Sequence, residues 1–65
     1  MTDWTISQIK AECIRRGRGV SEEWIRRACR EGRIKGAAKP GGRDWFVPED
    51  EAERWIEEYV KRGKN

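Results

Sequence analysis

The chain has 65 residues, 42% of them charged, and its 15 Lys/Arg against 12 Asp/Glu leave a formal net charge of +3. A chain this short buries only about 60% of its unfolded surface, which predicts one small domain without an interior catalytic cleft. Four tryptophans among spaced aliphatics supply enough apolar area to argue against disorder.

Trp4-Thr5-Ile6 reads as a short extended lead-in, and Ser7 is the expected cap of a first helix whose stripe is Ile6, Ile9 and Cys13. That helix is expected to end near Arg16. Arg15-Arg16-Gly17-Arg18-Gly19 then forms a basic turn with two glycines. Ser21 is a good N-cap, Glu22 and Glu23 suit the positive end of a helix dipole, and Gly32 is a natural C′ residue, so a second helix of roughly three turns follows. With residues about 100° apart, Ile25, Ala28 and Cys29 share its apolar back, and Glu23, Arg26, Arg27 and Arg30 its polar front. Arginine on that front can bind phosphate, or the O6/N7 edge of guanine, in two-point fashion.

Beyond Gly32, residues 33–38 are expected to be extended, and Lys39-Pro40-Gly41-Gly42-Arg43 is a turn signal before Asp44-Trp45-Phe46-Val47. The expectation is a two-stranded hairpin whose tip carries Lys39 and Arg43 against a phosphate backbone or minor groove. Arg16, Arg18, Arg33 and Lys35 are the expected further backbone contacts. Pro48 ends the strand. Glu49, Asp50 and Glu51 open a last helix with the stripe Ala52, Trp55, Ile56, Tyr59 and Val60. Its outer face offers the i, i+4 pairs Asp50 with Arg54, Glu57 with Lys61 and Glu58 with Arg62. Gly63 stops it, and the ends, 1–3 and 63–65, are expected to fray. Residues 1–65 thus read as one mainly α domain with a small β-hairpin, a winged helix-turn-helix.

Charge is divided unevenly: residues 1–43 hold 11 Lys/Arg against 5 Asp/Glu, and residues 44–65 hold 4 against 7. The basic part is the expected contact surface, with double-stranded DNA as the partner. An enzyme is not expected: there is no histidine, the serines serve as caps, and the carboxylates of residues 49–58 lie on a solvent face. Two cysteines and no histidine cannot furnish a usual structural zinc site, so neither metal nor cofactor is expected, and Cys13 and Cys29 read as small buried hydrophobes. No apolar run approaches the ~20 residues that span a bilayer, and no secretory leader is present, which points to a cytoplasmic protein without a membrane partner. Trp24 lies at the edge of the apolar face, and packing against the wing or first helix competes with contact to DNA or a neighbouring subunit.

The run Arg26-Arg27 through Arg30-Glu31-Gly32-Arg33-Ile34, then Gly42-Arg43-Asp44-Trp45-Phe46-Val47, resembles the phage excisionase family within the MerR-like winged-helix domains, over residues 4–60. The resemblance implies a recombination directionality factor. Such a protein performs no catalysis; it binds and bends DNA beside an attachment site and directs integrase-mediated excision of a phage or mobile element in a bacterial host. It implies that Glu23 and Arg27 reach base edges and that Lys39 and Arg43 form the wing. A tyrosine integrase and neighbouring copies on DNA are the implied partners, with a monomer expected in free solution. The wing is Gly/Ala-rich where phage relatives carry prolines, and Trp24 stands where a small residue is usual. A small winged-helix transcriptional regulator is the alternative, and a protein-interaction module the minor one.

Overall fold

A computed structural model describes residues 2–63 as three helices and a two-stranded antiparallel sheet. Of the ends expected to fray, Met1, Lys64 and Asn65 lie outside those residues, whereas Asp3 is paired with Pro48 in the sheet and the Gly63 amide closes the last helix turn on Tyr59 and Val60. Strand β1 (Asp3–Thr5) leads into α1 (Ile6–Arg15), a turn, α2 (Glu22–Arg30), a loop, β2 (Phe46–Pro48) and α3 (Glu49–Arg62). The arrangement is a winged helix-turn-helix.

The first helix starts two residues earlier than Ser7 would place it. Thr5 is the N-cap: its hydroxyl accepts from the Gln8 amide at 3.2 Å, and the Gln8 side chain accepts from the Thr5 amide at 2.8 Å. This reciprocal pair satisfies two amides that Ser7, already inside the helix, cannot serve. Thr5→Ala is therefore expected to cost about 0.5–2 kcal/mol and to lower Tm by several degrees. Ser7→Ala, at an exposed helical position, is expected to leave Tm nearly unchanged. Side-by-side thermal melts check the pair, and equal effects would overturn the assignment.

Both helices of the helix-turn-helix stop by the same device. Gly17 follows α1 with φ 107°, its amide donating to the Ile14 carbonyl at 3.1 Å and the Arg18 amide to Cys13 at 3.0 Å. Gly32 follows α2 with φ 80°, its amide donating to Cys29 at 3.2 Å and the Arg33 amide to Ala28 at 2.9 Å. A left-handed residue is needed to bring those two amides back onto the last turn, and glycine adopts it without a Cβ clash.

The hairpin expected over residues 33–38 and 44–47 is reduced to one bridging pair. Ala38 and Phe46 exchange amide-to-carbonyl bonds at 2.9 and 2.7 Å, while Ile34 turns into the core at 3% exposure. Residues 33–37 bend because Ile34 is buried in the core, alongside α3 at Trp55, instead of lying along a strand. The long edge of β2 is taken by β1, in the register Asp3 to Pro48, Trp4 to Val47 and Thr5 to Phe46. The wing tip is a single 3₁₀ turn, Pro40–Gly42, closed by the Gly42 amide on the Lys39 carbonyl at 3.0 Å.

The core collects the inward residues of every element: Ile6, Ile9 and Cys13 of α1, Ile25, Ala28 and Cys29 of α2, Val47 of β2, and Ala52, Ile56 and Val60 of α3, with Val20 and Ile34. Cys13 and Cys29 are free thiols, and burial pushes both above the ordinary thiol range, so both stay protonated at neutral pH. Trp55 and Tyr59, the outer members of the α3 stripe, are only half-buried and stack on each other, ring centres 5.2 Å apart. The three expected i, i+4 pairs on α3 are not formed among the described residues; Arg54 instead approaches Glu51, one turn back, at 3.8 Å. Exposed pairs of this kind are worth too little to choose between neighbouring rotamers. No helix among the described residues is long and apolar enough to cross a membrane.

Candidate nucleic-acid interface

The second helix is held at its start by the Ser21 hydroxyl, which accepts from the Trp24 amide at 3.1 Å. With Ile25, Ala28 and Cys29 seated in the core, Glu23, Arg26, Arg27 and Arg30 are all exposed on the opposite side. Arg26 pairs with Glu22, and Arg27 with Glu31, both at 3.1 Å along the helix. The Arg27 guanidinium also stands 5.9 Å above the Trp24 ring. Such exposed pairs contribute roughly 0.3–0.5 kcal/mol each, so a phosphate or a base edge can displace the carboxylate. Arg30 has no carboxylate partner among the described residues.

The wing meets this helix at its base. Arg43 and Arg26 line one cleft of about 290 Å³, walled by Glu22, Asp44, Trp45 and Phe46 and closed by Thr5 and the start of α1 at Ile6 and Ser7. Lys39 stands 5.7 Å over the Trp45 ring, which fixes one side of the tip. The structure thus joins two of the expected contacts, one from the helix and one from the wing, on a single concave surface. Neither Lys39 nor Arg43 has a carboxylate partner among the described residues.

The remaining basic residues go elsewhere. Arg16 binds Glu12 at 2.8 Å, and Arg15 binds the same carboxylate. These hydrogen bonds, that of Arg15 foremost, hold the Glu12 carboxyl down to about 2. Arg16 therefore faces a fixed anion on its own helix across the ordinary pH range. Arg18 turns toward α3: its guanidinium lies 3.9 Å from the Tyr59 ring centre and donates to the Tyr59 carbonyl at 2.6 Å. The Tyr59 hydroxyl donates in return to the Gly19 carbonyl at 3.2 Å. Arg33 shares Glu31 with Arg27, at 3.2 Å, and lines clefts against Trp55 and Glu58 of α3. Lys35 lies along the smaller of those clefts.

The ten basic and acidic positions singled out by sequence are thus not one face. Glu23, Arg26, Arg27, Arg30, Lys39 and Arg43 belong to the front of α2 and the wing, Arg16 is tied to Glu12 of α1, and Arg18, Arg33 and Lys35 lie toward α3. Arg62, on the α3 side, was not singled out by sequence. It falls in the last turn of a helix, where a base is ordinary, so nothing local distinguishes it.

A family model described as a helix-turn-helix domain matches residues 19–63, more than half of the chain. The matched stretch runs from the turn before α2 through the end of the last helix and includes both the α2 front and the wing. No curated protein and no solved structure gives a significant match.

Proposed function

We propose that this chain, which belongs to the helix-turn-helix domain family, acts as an excisionase-like accessory factor, with residues 1–65 working as one winged-helix unit. As a small helix-turn-helix DNA-binding domain it engages duplex DNA. In this reading α2 enters the major groove, Glu23 and Arg27 address base edges, and Arg26 and Arg30 hold flanking phosphates. Lys39 and Arg43 carry the wing onto the adjacent backbone, and Arg16, Arg18, Arg33 and Lys35, which face Glu12 or α3, contribute only to the longer-range positive potential. The observation that carries the reading is the cleft in which Arg26 of α2 and Arg43 of the wing stand together, with Arg30 exposed on the same helix and without a carboxylate partner among the described residues.

The excision role rests on the resemblance of residues 26–34 and 42–47 to phage excisionases. There, bending of DNA beside the attachment site would bring a tyrosine integrase and neighbouring copies of the chain into register. Footprinting across the attachment region of a mobile element tests it. Protected repeats beside the recombination core are the expected result; a single protected site over a promoter would replace excision with transcriptional regulation.

The binding mode has its own check. With roughly four to six phosphate contacts, log K is expected to fall against log salt with a slope of about −4 to −5. Fluorescence titration of a duplex over a salt series measures it. An affinity indifferent to salt, or a preference for single strands, would remove the electrostatic mode.

A further inference from the structure

On the side of α2 away from the wing, the surface opens into a groove of about 570 Å³ between α2 and α3. Its size is that of a pocket able to take a compact organic group. Three rings line it: Trp24, which is 41% exposed and one of two large apolar side chains left in solvent, and the stacked pair Trp55 and Tyr59. Three guanidiniums rim it, from Arg18, Arg33 and Arg62, against one carboxylate, Glu58.

The charge does not cancel. Glu31 is the only partner of Arg33 among the described residues, and it serves Arg27 as well. Arg62 has no carboxylate partner within that set, and Arg18 is held by a ring face and a carbonyl, which leave its charge intact. An aromatic floor within a cationic rim is complementary to a polypeptide that presents an apolar anchor beside carboxylates. Duplex DNA fits less well. The groove is concave and small, and Glu58 stands in it, where it would face the phosphates of a duplex laid across the rim.

We propose that the groove between α2 and α3 is a docking site for an acidic peptide segment of a partner protein, anchored by an aromatic or leucine side chain between Trp24 and the Trp55–Tyr59 stack. Arg33 and Arg62 bind the flanking carboxylates, with the guanidinium of Arg18 completing the rim. The site adjoins the α2 front only at Trp24, over which Arg27 stands, and its rim lies toward α3, so a partner can be held while Arg26 and Arg30 engage DNA.

The probe is a display library of short random peptides panned on the whole chain, with the enriched sequences resynthesised. Binding is read by fluorescence anisotropy and by the indole N–H signals of the four tryptophans. The expected result is enrichment of sequences that combine Asp or Glu with an aromatic or leucine. These peptides move the Trp24 and Trp55 signals and leave Trp4 and Trp45 in place. Trp24→Ala and Arg62→Glu, both at exposed positions, each weaken binding by roughly tenfold or more without loss of the folded spectrum. Failure of any sequence to enrich, or enrichment of basic peptides, would overturn the proposal. So would displacement of the peptide by stoichiometric duplex DNA, which would assign the groove to the nucleic-acid interface. Movement of the same two signals on raising protein concentration alone would assign it to a second copy of the chain.

Discussion

Ile56→Ala is expected to lower Tm by on the order of 10–30 °C and to abolish DNA binding by unfolding the domain, with no DNA contact removed. Ile56 is fully buried at the centre of the α3 stripe, and truncating a buried isoleucine costs about 2–5 kcal/mol through lost transfer energy and the cavity left behind. A domain of this length has roughly 3–10 kcal/mol in total, so the change removes a large share of it. Trp55→Ala is expected to cost less, although its ring is larger, because Trp55 is half-buried and lines an open groove. Glu57→Gln, on the exposed face, is expected to leave Tm and DNA affinity nearly unchanged. Thermal unfolding of the three variants gives the ranking, and a Trp55 variant that melts below the Ile56 variant would show the core to be centred elsewhere.

The second large effect is on recognition. Arg27→Ala is expected to cost about 1–3 kcal/mol of binding and to relax preference at one base pair, as loss of a bidentate guanine contact does. In the free protein Arg27 is held by Glu31 and the Trp24 ring. Releasing it into the groove exchanges one exposed ion pair for a stronger charge-assisted contact. Lys39→Ala and Arg43→Ala are expected to weaken all sequences alike and to flatten the salt slope by about one unit each. Titration against a set of singly substituted duplexes separates the two behaviours. Wing variants that shift base preference, with Arg27→Ala leaving it intact, would reverse the assigned roles.

The helices were legible in the sequence because their signals are local. The spacing of Ile25, Ala28 and Cys29 and the sites of Ser21 and Gly32 fix the second helix, its face and its end within a dozen residues, and the structure places them so. The first cap was also local but was assigned to the wrong residue: Thr5 and Gln8 form the capping pair, and a serine two positions on is an equally good cap until its partner is considered. What could not be read were the pairings across long separations. Nothing in Asp3–Thr5 says that it will take one edge of Phe46–Pro48, and nothing local to residues 33–38 says that Ile34 will turn into the core and leave only Ala38 on the other edge. The division of the arginines was hidden for the same reason. Arg18 sits in a basic turn that reads as a phosphate contact, and its actual partner, Tyr59, lies 41 residues away.

That contact between Arg18 and Tyr59 changes what association with DNA has to order. A turn with glycines on either side of Arg18 would otherwise sample many conformations in the free chain, and the start of the recognition helix would share that freedom. Hydrogen bonds running both ways between the turn and α3, with the guanidinium over the Tyr59 ring and the Arg18 side chain lying against Gly63, close the chain into a ring at this point. The conformational entropy of the turn is then surrendered when the protein folds. The recognition helix arrives at DNA with its base already fixed, and the free energy of its contacts appears as affinity instead of being consumed in organising the turn that carries it.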